Sequence, residues 1–200
     1  SGANGACSFF VPPSLKAGEH PVFWSAEADT SAVLLTQLPI MLPTAGNLNP
    51  GLREPAALSD DEGAHILLRA GNQTIRLVHL AGVSAGIPLA AVVPLDPEGF
   101  DRIVGIDRLL RALLGRRVPD DGRLTRQQKR RQRHMLQATD GWMNGATYRE
   151  IASVIFGVDR VASEPWKTSA LRDATMAMVK DGMAMIDGGY RTLLRHRRRP

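Results

Sequence analysis

The segment 147–157, with the sequence TYREIASVIFG, limits the possible fold of this chain more than any other feature. Thr147 is a residue type that caps helix N-termini, the apolar residues after it recur at helical spacing, and Gly157 is a typical helix end. Eight residues further on, Pro165 begins a second predicted helix that extends to about Lys180. Two helices in this order are typical of a helix-turn-helix, in which the second helix enters the major groove of DNA.

Positive charge is concentrated in the same part of the chain. Residues 1–118 hold 9 Lys or Arg and 11 Asp or Glu, a net charge of −2, whereas residues 119–200 hold 16 and 9, a net charge of +7. Lys and Arg that neutralise phosphates release condensed counterions, so such a segment gains affinity for duplex DNA of any sequence. Solvated helix faces rich in Arg explain the same charge, and charge alone does not decide between the two interpretations.

Composition limits the class of protein. With 200 residues, 44% of them hydrophobic, the chain is long enough for one large domain or two small ones. We expect no membrane partner, because no run approaches the ~18 apolar residues of a membrane span. We expect a cytoplasmic location, because no secretory signal is visible. The single cysteine, Cys7, excludes an internal disulfide.

Residues 21–118 are predicted to form a small antiparallel sheet with one helix, preceded by a flexible arm at 1–20. The turn signal at 70–73 joins two strands as a hairpin, and the proline-rich segment 39–58 is expected to be a long loop. Strands are expected at 20–25, 32–38, 65–69, 74–80 and 87–93. Asp96 is expected to cap a helix whose apolar stripe faces the core and consists of Phe100, Ile103, Val104, Leu110, Leu113 and Leu114.

A second, helical module is predicted at 119–200. Loop-forming residues around Asp120 mark the boundary between the modules, where the balance of charge also changes. Thr125 is expected to cap a helix that extends to about Asn144, polar in its first half and apolar along one face in its second. The predicted fold class is therefore α+β, with an N-terminal small antiparallel sheet and one helix followed by a C-terminal helical helix-turn-helix module.

Three groups of residues in the last third of the chain share a recognisable spacing. They are Tyr148-Arg149-Glu150-Ile151-Ala152, then Trp166-Lys167 with Leu171-Arg172-Asp173, and finally Gly188-Gly189-Tyr190-Arg191-Thr192-Leu193-Leu194. Together they resemble the RovC-like transcription-factor DNA-binding domain family, most strongly from Arg131 to Arg195. The Phe23-Trp24-Ser25 strand and the hairpin with its following helix resemble the family's upstream half. Members of this family, formerly a domain of unknown function, regulate bacterial gene clusters such as secretion systems, so the resemblance implies a bacterial transcription regulator.

Candidate DNA contacts follow from the placement of residues on the predicted helices. The first turn of a recognition helix meets base edges and favours phosphate, which selects Lys167, Thr168 and Ser169. The alternative is that the two hydroxyls only satisfy local backbone groups. Exposed basic residues on these two helices, and on the polar half of the helix predicted from Thr125, are candidates for groove and phosphate contacts. The arginine-rich end at 195–199 is a further candidate for phosphate contacts. The predicted DNA-binding set is Tyr148, Arg149, Lys167, Thr168, Ser169, Arg172, Lys180, Arg191, Arg130 and Arg131.

No catalytic site, metal site or cofactor is predicted. The five histidines have no metal-ligand spacing, and no phosphate-binding loop or nucleophile elbow is present. Trp166 is expected to anchor its helix in the core, and the methionines at 176–185 are expected to be adaptable core or interface residues. The acidic run 60–62 is expected to be a loop or a helix cap.

Two functions stay open, and an enzyme is the weakest alternative. The first is binding of promoter or operator DNA by a homo-oligomer that assembles through the upstream module, for example by pairing of apolar strand edges at 33–35. The rival is a protein-interaction regulator, similar to an antiactivator, that binds another transcription factor. Exposed Lys167, Arg172 and Arg191 would favour DNA, whereas an exposed apolar patch across 176–185 would favour a protein partner.

Overall fold

The computed structural model describes residues 22–42, 58–83 and 87–195. The chain folds as two compact units, one formed by the residues up to Asp121 together with those from Leu194 onward, and the other by residues 122–193. The first contains a five-stranded sheet and one long helix, and the second is helical, so the predicted α+β class is confirmed. The predicted arm at 1–20, Cys7 and the terminal arginines 197–199 lie outside the described residues.

The sheet confirms the hairpin but is mixed rather than antiparallel. It consists of β1 (Val33–Gln37), β2 (Leu58–Ser59), β3 (Gly63–Ala70), β4 (Gln73–Leu80) and β5 (Leu89–Val92), in spatial order β2-β3-β4-β1-β5. Strands β3 and β4 pair antiparallel around a two-residue turn in which Gly71 has a φ of 59°. Strand β1 runs parallel to β4, which is possible because the chain between them is longer than the dozen or so residues that a parallel connection needs.

Strand β1 is internal to the sheet. It pairs with β4 on one side and with β5 on the other, and Val33 and Leu35 belong to the buried core. The expectation that residues 33–35 offer an edge for pairing with another chain is therefore wrong. The strand expected at 20–25 is reduced, within the described residues 22–25, to a single bridge at Trp24.

Helix α1 (Gly99–Leu113) packs on the sheet with the opposite face from the one predicted. It begins three residues after Asp96, whose Oδ1 accepts a hydrogen bond from the Glu98 N–H at 2.7 Å. Of the predicted stripe, Leu113 packs against the core, beside the buried Leu109. The other five members are exposed and form a surface that we call the α1 apolar face: Phe100, Ile103, Val104, Leu110 and Leu114.

Buried polar contacts explain this orientation of α1. The Asp101 carboxylate accepts a hydrogen bond from the Thr30 hydroxyl at 2.7 Å. The Arg102 guanidinium donates to the carbonyls of Ala32 and Ala26 at 2.8 and 2.7 Å. Gly105 lies so close to the sheet that a Cβ there would stand 2.6 Å from a backbone oxygen of Ser31. These hydrogen bonds compensate the cost of burying the charges of Asp101 and Arg102. This face of α1 can therefore pack on the sheet, and the apolar stripe on the other side faces solvent.

The second unit contains four α-helices: α2 (Arg126–Met143), α3 (Tyr148–Phe156), α4 (Val158–Ala162) and α5 (Ala170–Ile186). Short 3-10 segments at Trp166–Thr168 and Gly189–Leu194 precede and follow α5. The predicted starts of α2 and α3 are confirmed, since Thr125 and Thr147 both form capping boxes. Ala138, Ile151 and Val179 form one core cluster, which joins α2, α3 and α5.

Candidate nucleic-acid interface

The net positive charge of the chain resides in the second unit. Residues 122–193 contain 12 Lys or Arg and 7 Asp or Glu, which gives +5 and equals the net charge of the whole chain. The remaining residues contain 13 of each kind and are neutral. The unit that holds the helices is therefore the one with the electrostatic character of a polyanion-binding surface.

Helix α3 has well-defined ends. The Thr147 backbone N–H and hydroxyl donate to the Glu150 carboxylate at 2.8 and 2.7 Å, and the Glu150 N–H donates to the Thr147 hydroxyl at 3.3 Å. These hydrogen bonds hold the pKa of Glu150 below its ordinary value. Gly157 ends the helix with a φ of 95°, a conformation that favours glycine. The chain then turns directly into α4, because Gly157 also precedes the first residue of that helix.

The predicted second helix begins later than expected, and a short helix precedes it. Helix α4 occupies part of what was predicted to be loop, with Val161 buried against α3. Lys167 and Thr168 lie in the 3-10 segment before α5 and are exposed, so they are not in the first turn of α5. Ser169 is the N-cap of α5, and its buried hydroxyl accepts from the Leu171 N–H at 3.0 Å. Its hydroxyl therefore has the local capping role that was the alternative to a DNA contact.

Helix α5 is continuous from Ala170 to Ile186 and buries a narrow stripe. The buried residues Leu171, Thr175, Val179 and Gly182 recur every three or four positions. The Thr175 hydroxyl donates to the Leu171 carbonyl at 2.7 Å, which satisfies it inside the helix. Lys180 is exposed, and the Arg172 side chain is 40% exposed, with its Nη1 3.5 Å from Asp173 Oδ1. Both basic side chains are thus outside the core and available to a ligand.

Two aromatic residues of the predicted motif have packing roles. Tyr148 is half-buried and stacks on Trp142 of α2, with the ring centroids 4.6 Å apart and the ring planes 13° from parallel. Trp166 is half-buried against the cluster of Ala152, Val161 and Leu171, which confirms that it anchors its segment in the core. Arg149 and Arg191 are exposed.

The polar half of α2 exposes a line of basic residues that the predicted set covered only in part. Arg126, Lys129, Arg130 and Arg133 occupy positions i, i+3, i+4 and i+7, are exposed, and have no ion pair within the described part of the chain. We call these four residues the α2 basic stripe. Arg126, Lys129 and Arg133 were missed, although their helical spacing is visible in the sequence. Arg131 points elsewhere, because its Nη2 donates to Asp181 Oδ2 on α5 at 2.8 Å.

The acidic run in the first unit forms a loop, as expected, and it has partners. Asp60 Oδ1 accepts from the N–H groups of Glu62 and Gly63, and Asp60 Oδ2 lies 2.9 Å from Nε2 of the buried His65. The potential ligand atoms of Asp60, Glu62 and His65 lie within 4.8 Å of one another. The sequence spacing did not reveal this cluster, whose hydrogen bonds fix the turn between β2 and β3.

Comparison with known families agrees with the resemblance found in the sequence. The sequence profile of the RovC DNA-binding domain family, described as a T6SS transcription factor DNA-binding domain, matches residues 92–195. The match includes α1 and the whole second unit, whereas the similarity proposed for residues 23–80 lies outside it. No curated protein matches the chain with significance. Among the described residues, none of the helices has both the length and the apolar composition needed to cross a bilayer.

Proposed function

Because the chain belongs to the RovC family of T6SS transcription-factor DNA-binding domains, we propose that it regulates transcription in bacteria by binding promoter or operator DNA. Residues 122–193 would form the DNA-binding module, residues 22–121 would serve oligomerisation or regulation, and the protein would act in the cytoplasm. Neither catalysis nor a cofactor forms part of this proposal.

The observation that carries the proposal is the concentration of exposed basic residues in the second unit. The α2 basic stripe presents four cations without ion-pair partners in the described residues. A line of cations one helical turn apart is suited to the regularly spaced phosphates of a duplex. These residues would supply affinity that is independent of the DNA sequence.

Helices α3 and α5 would supply the sequence-dependent part of binding. Helices α3 and α5 would form a variant helix-turn-helix in which α4 lies inside the turn. Lys167 and Thr168 would approach the DNA from the 3-10 segment before α5. Arg172 and Lys180 would approach it from α5 itself. Arg149 and Arg191 are the remaining exposed cations of the predicted set. Ser169 would act by holding the start of α5 and not by touching DNA, since its hydroxyl is buried and occupied.

A homo-oligomer would extend the short site that one such module reads. The α1 apolar face supports this part of the proposal, because its five exposed members form one stripe along the helix. The stripe is interrupted only by Asp107 and Arg111, which pair with each other at 2.8 Å. One acid and one base on an apolar stripe are complementary to the same stripe on a second copy.

A gel-shift of the full chain against its own upstream DNA, over a salt series, tests the proposal. Affinity for duplex DNA is expected to fall steeply as salt rises and to survive removal of the first 20 or so residues. The quadruple variant of the α2 basic stripe, with each residue changed to Gln, should lose most of this salt dependence. The double stripe variant Arg126→Gln with Arg130→Gln should lose part of it, whereas the matched double change in the neutral unit, Arg69→Gln with Arg116→Gln, should leave it intact. Binding that is flat with salt, or that needs residues 1–20, would contradict the proposal.

A second function is supported by a specific observation on α5. Met176 and Met183 are exposed, together with Ile186 at the end of the helix. The rest of the exposed surface includes small residues and Asp173, a composition typical of protein contacts as well as of DNA contacts. A regulator that binds another transcription factor would use this surface. Met176→Gln with Met183→Gln, which adds no charge to α5, would then weaken capture of the partner while leaving the salt-dependent affinity for DNA unchanged.

A further inference from the structure

A cavity of about 260 Å³, partly open to solvent, lies in the second unit between α2, α5 and the 3-10 segment that follows α5. Gly182 of α5 makes the closest approach to α2, because a Cβ at this position would collide with the Thr139 hydroxyl. Next to this contact, Leu136 of α2 and Met185 of α5 form opposite walls, and Tyr190 lines the cavity from the 3-10 segment. Side chains from three elements thus line one space that stays partly open, since Leu136 and Ile186 are themselves exposed.

The chemistry of the walls selects the kind of molecule that fits. None of the lining residues is charged, and most are apolar. A charged ligand would lose its hydration without gaining a partner, so the ligand must be neutral. The Thr139 hydroxyl already donates to the Met135 carbonyl at 2.9 Å. The accessible wall of the cavity is almost entirely apolar, so the site offers van der Waals contact and no polar anchor.

The size of the cavity limits the ligand further. An apolar cavity of about 150 Å³ holds one benzene ring, so 260 Å³ accommodates a molecule of about two rings. Sites for drug-sized ligands start at about 300 Å³, so this cavity suits a smaller molecule held by its apolar walls. A bound amphipathic helix would instead need an apolar groove that extends over several turns.

We propose that this cavity binds a small, neutral, apolar ligand. We further propose that occupancy is coupled to DNA binding, a part that rests on the proposed function. The coupling follows from the shared element: α5 forms one wall of the cavity and carries Arg172 and Lys180. A ligand that favours one position of α5 must change the affinity of any partner that contacts the same helix.

Titration of the full chain with 1-naphthol, a neutral two-ring probe with one hydroxyl, tests the site. We expect saturable one-to-one binding by calorimetry. Met185→Trp fills the cavity and should weaken binding at least tenfold, whereas Met183→Trp on the same helix, which does not line the cavity, should leave it within twofold. Absence of saturable binding to the wild type, or equal loss in both variants, would overturn the proposal. Leu136→Trp from the opposite wall repeats the test if M185W does not fold.

The coupling needs a separate measurement. At saturating 1-naphthol, the Kd for duplex DNA is expected to change at least threefold in the wild type and not in M185W. If 1-naphthol left the Kd of the wild type for duplex DNA unchanged, the coupling would be refuted. The calorimetry would still show whether the cavity binds the probe. If the protein bound no DNA at any salt concentration, the proposed function would fail, and the naphthol titration would remain decisive for the cavity.

Discussion

Arg131 of α2 donates to Asp181 of α5 at 2.8 Å, and this contact links the two helices that carry most of the candidate phosphate and base contacts. Both side chains are well exposed, at 66% and 43%, so the pair contributes little to stability. Its importance is electrostatic: the Asp181 charge offsets the Arg131 charge, whereas the neighbouring Arg130 has no such partner within the described residues. Two adjacent arginines are thus expected to differ as phosphate ligands.

The first prediction concerns this difference. Arg130→Ala should weaken binding to all duplexes about equally and lower the slope of log K against log salt by about one. Arg131→Ala should lower the slope less, because the wild-type charge is already compensated. Asp181→Asn should tighten binding, since it releases Arg131 and removes a negative charge. Fluorescence anisotropy over a salt series measures all three, and an identical slope for R130A and R131A would count against the pairing.

The second prediction separates base contacts from phosphate contacts. If Arg172 on α5 meets a guanine edge, Arg172→Ala should cost about 1–3 kcal/mol on a selected duplex and relax preference at one position. On a scrambled duplex the loss should be small. Arg130→Ala is the matched control and should weaken both duplexes equally. Equal losses on both duplexes for both variants would favour the protein-interaction function.

The third prediction concerns the packing of α5 on α2. Gly182→Ala places a Cβ against the Thr139 hydroxyl, and overpacking of this kind typically destabilises by about 1–3 kcal/mol. Combining it with Thr139→Ala should recover part of that loss, so the two changes should be non-additive. Urea unfolding followed by circular dichroism measures the free energy of unfolding. Strict additivity would show that the two residues do not meet.

The fourth prediction is a dependence on acid pH. Hydrogen bonds from Thr147 lower the pKa of Glu150 from its ordinary value of 4.5. A carboxyl group with a lowered pKa in the folded state stabilises that state above its unfolded pKa. The stabilisation is lost as pH falls through the lowered value. Thermal melts should therefore show the gap in Tm between wild type and Glu150→Ala shrinking below about pH 4.5, with no change between pH 6 and 7.

Oligomerisation is the subject of the fifth prediction. We expect at least a dimer by light scattering at micromolar concentration. Val104→Glu with Leu110→Glu on the α1 apolar face should convert it to a monomer without loss of helix content, because both side chains are already exposed. Leu95→Glu, also exposed but before the helix, is the control. A wild-type monomer with and without DNA would exclude the dimer.

The sequence predicted elements best where local chemistry fixes their ends. The capping boxes at Thr125 and Thr147, and the glycine at 157, determine α2 and α3 through hydrogen bonds within three residues, so pattern alone located them. The β3–β4 hairpin was predictable for the same reason, because a two-residue turn with Gly71 sets its register. Lys167, Arg172 and Arg191 are exposed or partly exposed, as expected for residues off an apolar stripe.

The sequence could not predict features that depend on long-range contacts or that lack a distinctive local pattern. The apolar stripe of α1 was expected to face the core, but Asp101 and Arg102 find partners about 70 residues away and take that side of the helix. The short helix α4 was missed because five residues give too little periodicity to distinguish helix from loop. For Ser169 the sequence left the DNA contact and the capping role open, because a capping hydroxyl and a phosphate-binding hydroxyl look alike in sequence, and the structure shows its hydroxyl in the capping hydrogen bond.

The hydrogen bond between Asp101 and Thr30 joins a residue inside the family match to one outside it. The family match starts at residue 92, so it contains α1 but none of the strands β1 to β4, nor Thr30 and Ala32, which satisfy the charges on the inner face of that helix. A fragment cut at the boundary of the match would expose Asp101 and Arg102 without these partners and would remove the strands on which Leu109 of α1 packs. Within the match, residues 122–193 form a compact unit that does not include α1, so a fragment that begins at Gly122 leaves the buried charges with their partners.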